Sequence, residues 1–220
     1  MMHDNSPVTV AISRQRGSGG AYIGRCVARR LGLRYIDRDL LRQAAEFLHQ
    51  RTERSTGAAE PSWWERLGSA CALGHADAMY MPPSAASVYE GDIFEAESRL
   101  IQEIIREQAA VIVGRGAAQT LRGRPAVITV FVHAPEPWRA DRLQRVYGIG
   151  DHADALRAIR ESDRERARFV RRLVELEWTD ARHYDVALDP AAMGFDAAVD
   201  LVERAAAGRL AHTGTIPEAI

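Results

Sequence analysis

VTVAISRQRGSGGAYIG, residues 8–24, sets a short apolar run directly before a glycine-rich turn and the start of an amphipathic segment. Val8 to Ile12 is rich in β-branched residues and bounded by polar ones, which predicts a buried strand. The turn SRQRGSGG follows. Beyond it Ile23, Val27 and Leu31 recur at helical spacing, with Arg25, Arg29 and Arg30 on other faces, and Gly32 closes the predicted helix. A strand, a glycine turn and a helix in this order can present backbone N–H groups and the positive helix end to an anion. The same arrangement can also serve tight packing alone.

Working outward, Leu33 to Ile36 predicts a second strand, and Asp37-Arg38-Asp39 opens a helix running to about Gln50. From residue 51 to 91 Ser, Gly, Ala and Pro accumulate and helical periodicity weakens. This segment reads as an inserted lobe, or equally as a long surface excursion around Trp63-Trp64 and Met79-Tyr80-Met81. Asp92 to Gln108 predicts a helix, Ala109 to Val113 a strand, and Ala126 to Val132 another. Helices are expected from Pro137 to Val146 and from His152 to about Leu176, then a strand from Tyr184 to Leu188 and a helix from Phe195 to Ala206. Five apolar β segments alternating with helices predict an α/β fold: a five-stranded parallel sheet in three layers, with helices on both faces. One domain over residues 1–207 is expected, carrying the lobe at 51–91, a lid region at 150–176 and a frayed tail at 208–220.

Ligands in such sheets sit beyond the carboxyl ends of the strands. Three turns qualify: the one after Ile12, the one at Asp37, and Gly114-Arg115-Gly116. Arg115, flanked by glycines after a buried strand, is a candidate phosphate ligand; its other reading is an ion pair with Asp37 or Glu95. Asp37 either caps the following helix or accepts hydrogen bonds from a substrate. On the long helix Arg157, Arg160, Arg164, Arg168 and Arg171 share one face, while Arg166 points away from it. The stripe is either an anion-binding face or a solvated one neutralised by Glu161, Glu165 and Glu175.

Composition narrows the class. Of 220 residues 46% are hydrophobic and 27% charged, as in ordinary globular proteins, and the formal net charge of -1 supplies no global field for nucleic acid or an anionic membrane. Arginine dominates the cations, and its planar fork suits bidentate phosphate contacts. The two cysteines, Cys26 and Cys71, lack metal-ligand spacing. With no secretory pattern and no membrane-length apolar run, a cytoplasmic protein is expected.

The phosphate-binding pattern G-x-x-x-x-G-K-[ST] uses lysine to bridge the outer phosphates. Setting glycine on glycine, the opening glycine falls on Arg14 and the lysine on Gly20. With these residues in view, the chain resembles the cytidylate kinase-like family of P-loop nucleoside monophosphate kinases. AISRQRGSGGAYIGRCVARRLGLRYIDRDLL resembles its N-terminal signature, VIVGRGA its second hallmark, and ESDRERARFVRR with the Trp178 and Tyr184-Asp185 region its lid and last strand. The resemblance implies transfer of a phosphoryl group from ATP, with Mg2+, to a nucleoside monophosphate, CMP or dCMP being the named acceptors. It implies a donor-phosphate site at Arg14, Gly17, Ser18, Gly19, Gly20, Ala21 and Tyr22, and an acceptor site at Asp37 and Arg115. Arg164 and Arg168 of the lid, with Arg166 beside them, would close over the transferring group. Arg16 or Arg14 would supply the cation that Gly20 lacks, and Arg16 is counted with the lid arginines as catalytic. Tyr22 stands where cytidylate kinases carry a hydroxyl residue, Val113 and Gly116 where they carry aspartates around the Gly-Arg pair, and Glu165 for a lid aspartate. Small-molecule nucleotides are the partners implied, with no nucleic acid or membrane. Oligomeric state is not legible.

Overall fold

β-branched residues pack well on a pleated, two-sided surface, and the run after Val8 forms strand β1 (Thr9–Arg14), buried through Ser13. The computed structural model describes residues 8–37, 99, 101–114 and 116–211. Helix α1 (Gly20–Leu31) follows the turn and ends where Gly32 adopts a left-handed conformation, its N–H donating to the Ala28 carbonyl. Strands β2 (Arg34–Asp37), β3 (Ala110–Val113), β4 (Val127–Val132) and β5 (Val186–Leu188) complete a five-stranded sheet in the order β2-β3-β1-β4-β5. Every pairing is parallel. The expected sheet is present, with the first strand at its centre.

Helices cover both faces. On one, Ile23 and Val27 of α1 pack on Val10, Ile12, Val111 and Val130 together with Val199 and Val202 of the last helix. On the other, Ile101 and Ile104 of the helical residues 101–107 meet Ala11, Ile112 and Phe131. Truncating a fully buried isoleucine such as Ile12 or Ile112 to alanine costs about 2–5 kcal/mol in cores of this kind. The intervening helices are α2 (Ala117–Thr120), α3 (Glu136–Tyr147), α4 (His152–Val174), α5 (Pro190–Met193) and α6 (Phe195–Ala211). Helix α4 starts on a reciprocal cap: the Asp154 amide donates to Asp151 Oδ1 at 2.8 Å, and the Asp151 amide to Asp154 Oδ2.

The boundary of the tail is corrected. Residues 208–211 belong to α6, which continues through Gly208 since one glycine costs a helix only about 1 kcal/mol. Asp37, the expected opening of a helix to about Gln50, instead ends β2. The rest of that helix, the lobe at 51–91 and the start of the helix at Asp92 lie outside the described residues.

Candidate phosphate-binding turn

The carboxyl ends of β1, β2 and β3 stand side by side, with Ile12 level with Val113 and Val113 level with Asp37. Helix α1 begins directly above them. Its N-cap, Gly19, is left-handed at φ 87°, no side chain caps it, and its first turn holds no acidic residue. An uncapped helix start at the end of a central parallel strand attracts anions through its free N–H groups and the helix dipole.

Within this turn the predicted residues play different parts. Ser18 is fully buried, and its hydroxyl donates to the backbone carbonyls of Gln15 and Val132 at 2.8 and 3.0 Å. Its side chain therefore braces the turn instead of facing a ligand. Gly17 and Gly19 carry φ of 81° and 87°, and Gly20 and Ala21 open the helix. Tyr22 is turned outward: its ring meets the edge of Phe195 at 5.1 Å, and a hydrogen bond with Cys26 raises its pKa.

Arg14 leaves the end of β1 on the α1 side of the sheet and approaches Gly20 and Gly114. Its charge and that of Asp37 are both felt by Tyr35. The Tyr35 hydroxyl oxygen is buried with no hydrogen-bond partner among the described residues, and burial pushes its pKa up to about 12. Unfolded, that phenol titrates near 10, so its contribution to stability is complete below pH 10 and is lost as pH rises towards 12. Tyr35→Phe is expected to leave neutral-pH stability unchanged or raise it by up to about 1 kcal/mol, and to blunt the alkaline loss. Thermal melts between pH 8 and 11.5 measure both effects; a variant less stable at pH 8 would contradict them.

The lid helix contacts the turn through residues that helical spacing alone did not select. Asp163 accepts the Arg16 amide at 3.1 Å and pairs with the buried Arg139 guanidinium at 2.6 Å. Arg139 also donates to the carbonyls of Ala134 and Arg16. Arg166 donates to the Arg14 carbonyl at 2.6 Å and lies over the Trp178 ring. Trp178 is held in turn by Tyr184, whose hydroxyl donates to its carbonyl and accepts from Gln119. Arg16 reaches the Ala158 carbonyl of α4.

Arg164 and Arg168 are not brought to the turn. They line a shallow hollow with Arg157, Glu161 and Glu165 on the outer side of α4, and Arg164 donates to its own helix at the Arg160 carbonyl. Arg166 points away from the arginine stripe, as expected, and it is the Arg166 side of α4, with Ala155, Ile159 and Val170, that faces inward to the turn. Arg115 lies outside the described residues.

Among the described residues no group of three or more His, Cys, Asp or Glu is placed to hold a metal ion. Asp37 is the carboxylate at the end of β2. One carboxylate together with substrate phosphates is a mode that magnesium accepts, so the residues present fit a nucleotide-borne ion.

A parallel sheet in this order, with a glycine turn capping the central strand, defines a P-loop kinase-like α/β fold. Residues 9–191 match the cytidylate kinase-like family, and the chain belongs to that family. Among solved structures it is similar to an uncharacterized protein from Eubacterium ventriosum, at 20% identity and TM-score 0.67, covering 91% of this chain and 98% of that one. It is also similar to shikimate kinase from Bacteroides thetaiotaomicron, at 14% identity and TM-score 0.50, covering 90% of this chain and 97% of that one. Both likenesses concern the fold. No curated protein matches the chain. No helix among the described residues is long and apolar enough to cross a membrane.

Proposed function

We propose that the protein transfers a phosphoryl group from ATP to a nucleoside monophosphate, with CMP or dCMP the leading acceptors. The observation that carries this reading is the uncapped start of α1 at the end of the central strand, in a chain whose family match spans residues 9–191. Phosphoryl transfer asks for little covalent chemistry from the protein; positioning and charge stabilisation carry the rate. The amides at Gly20 to Tyr22 would hold donor phosphates, Asp37 and Arg115 would face the acceptor, and the α4 segment would exclude water. Magnesium, when bound, would neutralise phosphate charge beside Asp37. Arg164 and Arg168 would join the site only through a rotation or closure of α4. This reading places the protein among cytoplasmic nucleotides, with neither nucleic acid nor membrane as a partner.

A second reading is a nucleotide or phosphate sensor that keeps the turn without transfer chemistry. The outward Tyr22 and the glycine at position 20 favour it. A kinase of another small phosphorylated acceptor is the third. Purified protein with ATP, magnesium and a panel of nucleoside monophosphates separates them by ADP release. Acceptor-dependent release with CMP or dCMP is expected. ATP binding without turnover on any acceptor would leave the sensor, and release with a different phosphorylated acceptor would select the third reading.

A further inference from the structure

The chain has 29 arginines and no lysine, so a permanently charged side chain facing the outer phosphates must be a guanidinium. The structure separates the two candidates beside the turn. Arg16 is spent on the lid helix: its guanidinium donates to the Ala158 carbonyl, and its own amide and carbonyl are engaged by Asp163 and Arg139. Arg14 runs the other way, across the first turn of α1. A β-carbon at position 20 would lie 2.5 Å from Arg14 Cβ and 3.0 Å from its Cγ. A β-carbon at position 114 would collide with the Arg14 guanidinium, 3.0 Å from Cζ and 3.3 Å from Nη2. Glycine at 20 and glycine at 114 thus leave the corridor through which one arginine passes, from the end of β1 to the end of β3. The corridor is fixed: Arg166 holds the Arg14 carbonyl, and the Gly114 amide donates to the Ile12 carbonyl at 2.9 Å.

We propose that Arg14 makes, from the end of β1, the contact to the outer phosphates of a nucleoside triphosphate that a lysine at position 20 would make from the helix. Side chains at 14 and 20 then exclude one another, which is why position 20 is glycine. The assignment rests on the phosphoryl-transfer reading and deepens it. A guanidinium there reaches Gly114 at the end of β3, beside the turn that would hold the donor, and its fork can take two oxygens of one phosphate. It is also a contact to phosphate that needs no proton transfer, since arginine stays charged.

The test is calorimetric titration of ATP and of inorganic pyrophosphate into the full chain and into Arg14→Ala, Arg14→Lys, Gly20→Lys and the double variant Arg14→Gly/Gly20→Lys. Glycine at 14 removes the β-carbon that a side chain at 20 would strike. Arg14→Ala is expected to weaken both ligands by about ten- to a hundredfold, the range for losing a hydrogen bond to a charged group. Gly20→Lys alone is expected to weaken binding as well, or to fail to fold by circular dichroism, while Arg14→Gly/Gly20→Lys folds and recovers most of the lost affinity. Arg14→Ala binding both ligands as the parent does would overturn the assignment, and so would Gly20→Lys binding more tightly with Arg14 in place. A parent chain that binds neither ligand would instead overturn the phosphate-site reading itself.

Discussion

Replacing Gly19 by alanine is expected to destabilise the fold by about 2–5 kcal/mol and to abolish ATP binding. Two independent costs add. At φ 87° the backbone is left-handed, which charges a residue with a β-carbon roughly 1–2 kcal/mol. The new methyl would also enter the Phe195 ring, 2.8 Å from its Cζ. That ring has little room to retreat, since Tyr22 lies at 5.1 Å, Trp138 at 6.0 Å and the Arg142 guanidinium at 5.3 Å. Overpacking of this kind costs about 1–3 kcal/mol. For a chain of this length the sum lowers the melting temperature by about 4–20 °C. Gly32→Ala is the internal control, because its φ is 65° but a β-carbon there would touch nothing within 4 Å. If both variants melt alike, Phe195 does not close over the turn.

Asp163→Ala is expected to cost about 3–5 kcal/mol, because it leaves the Arg139 guanidinium, 3% exposed, without its carboxylate. The Arg16 amide loses its acceptor in the same step, so the turn loosens where it meets the lid helix. Adding Arg139→Leu is expected to recover a good part of the loss, since removing both partners leaves no buried charge. Urea unfolding of the two single variants and the double one measures the coupling. Strictly additive losses would mean that the pair does not hold α4 to the turn.

What was legible in the sequence was legible for local reasons. The apolar run before the glycines and the Ile23-Val27-Leu31 spacing specify β1 and α1 without outside help, and Gly32 stops the helix by its own conformation. The order of strands was not legible, because alternation predicts a parallel sheet while the partners of β1 lie a hundred residues away. On α4 the arginine stripe drew attention to the wrong side. Among the described side chains of α4 Ala155, Ile159, Ser162 and Val170 are buried, and Asp163 and Arg166 flank them. Reading the apolar positions first would have marked both. Tyr22 faces outward because of Phe195, a residue with no local trace in the turn. The same distance hides the Arg14 corridor, which only the approach of β3 to β1 creates.

The central place of β1 has a bearing on how the chain is made. Val10 is level with Val111 on one side and Ile128 on the other. A ribosome adding about 5–20 residues per second leaves the first strand unpaired on both edges for on the order of ten seconds. During that interval VTVAI is an apolar, β-prone ribbon with no strand partner on either edge. Chaperone capture and the speed of translation across residues 100–130 should therefore govern the yield of folded protein more than the final stability does.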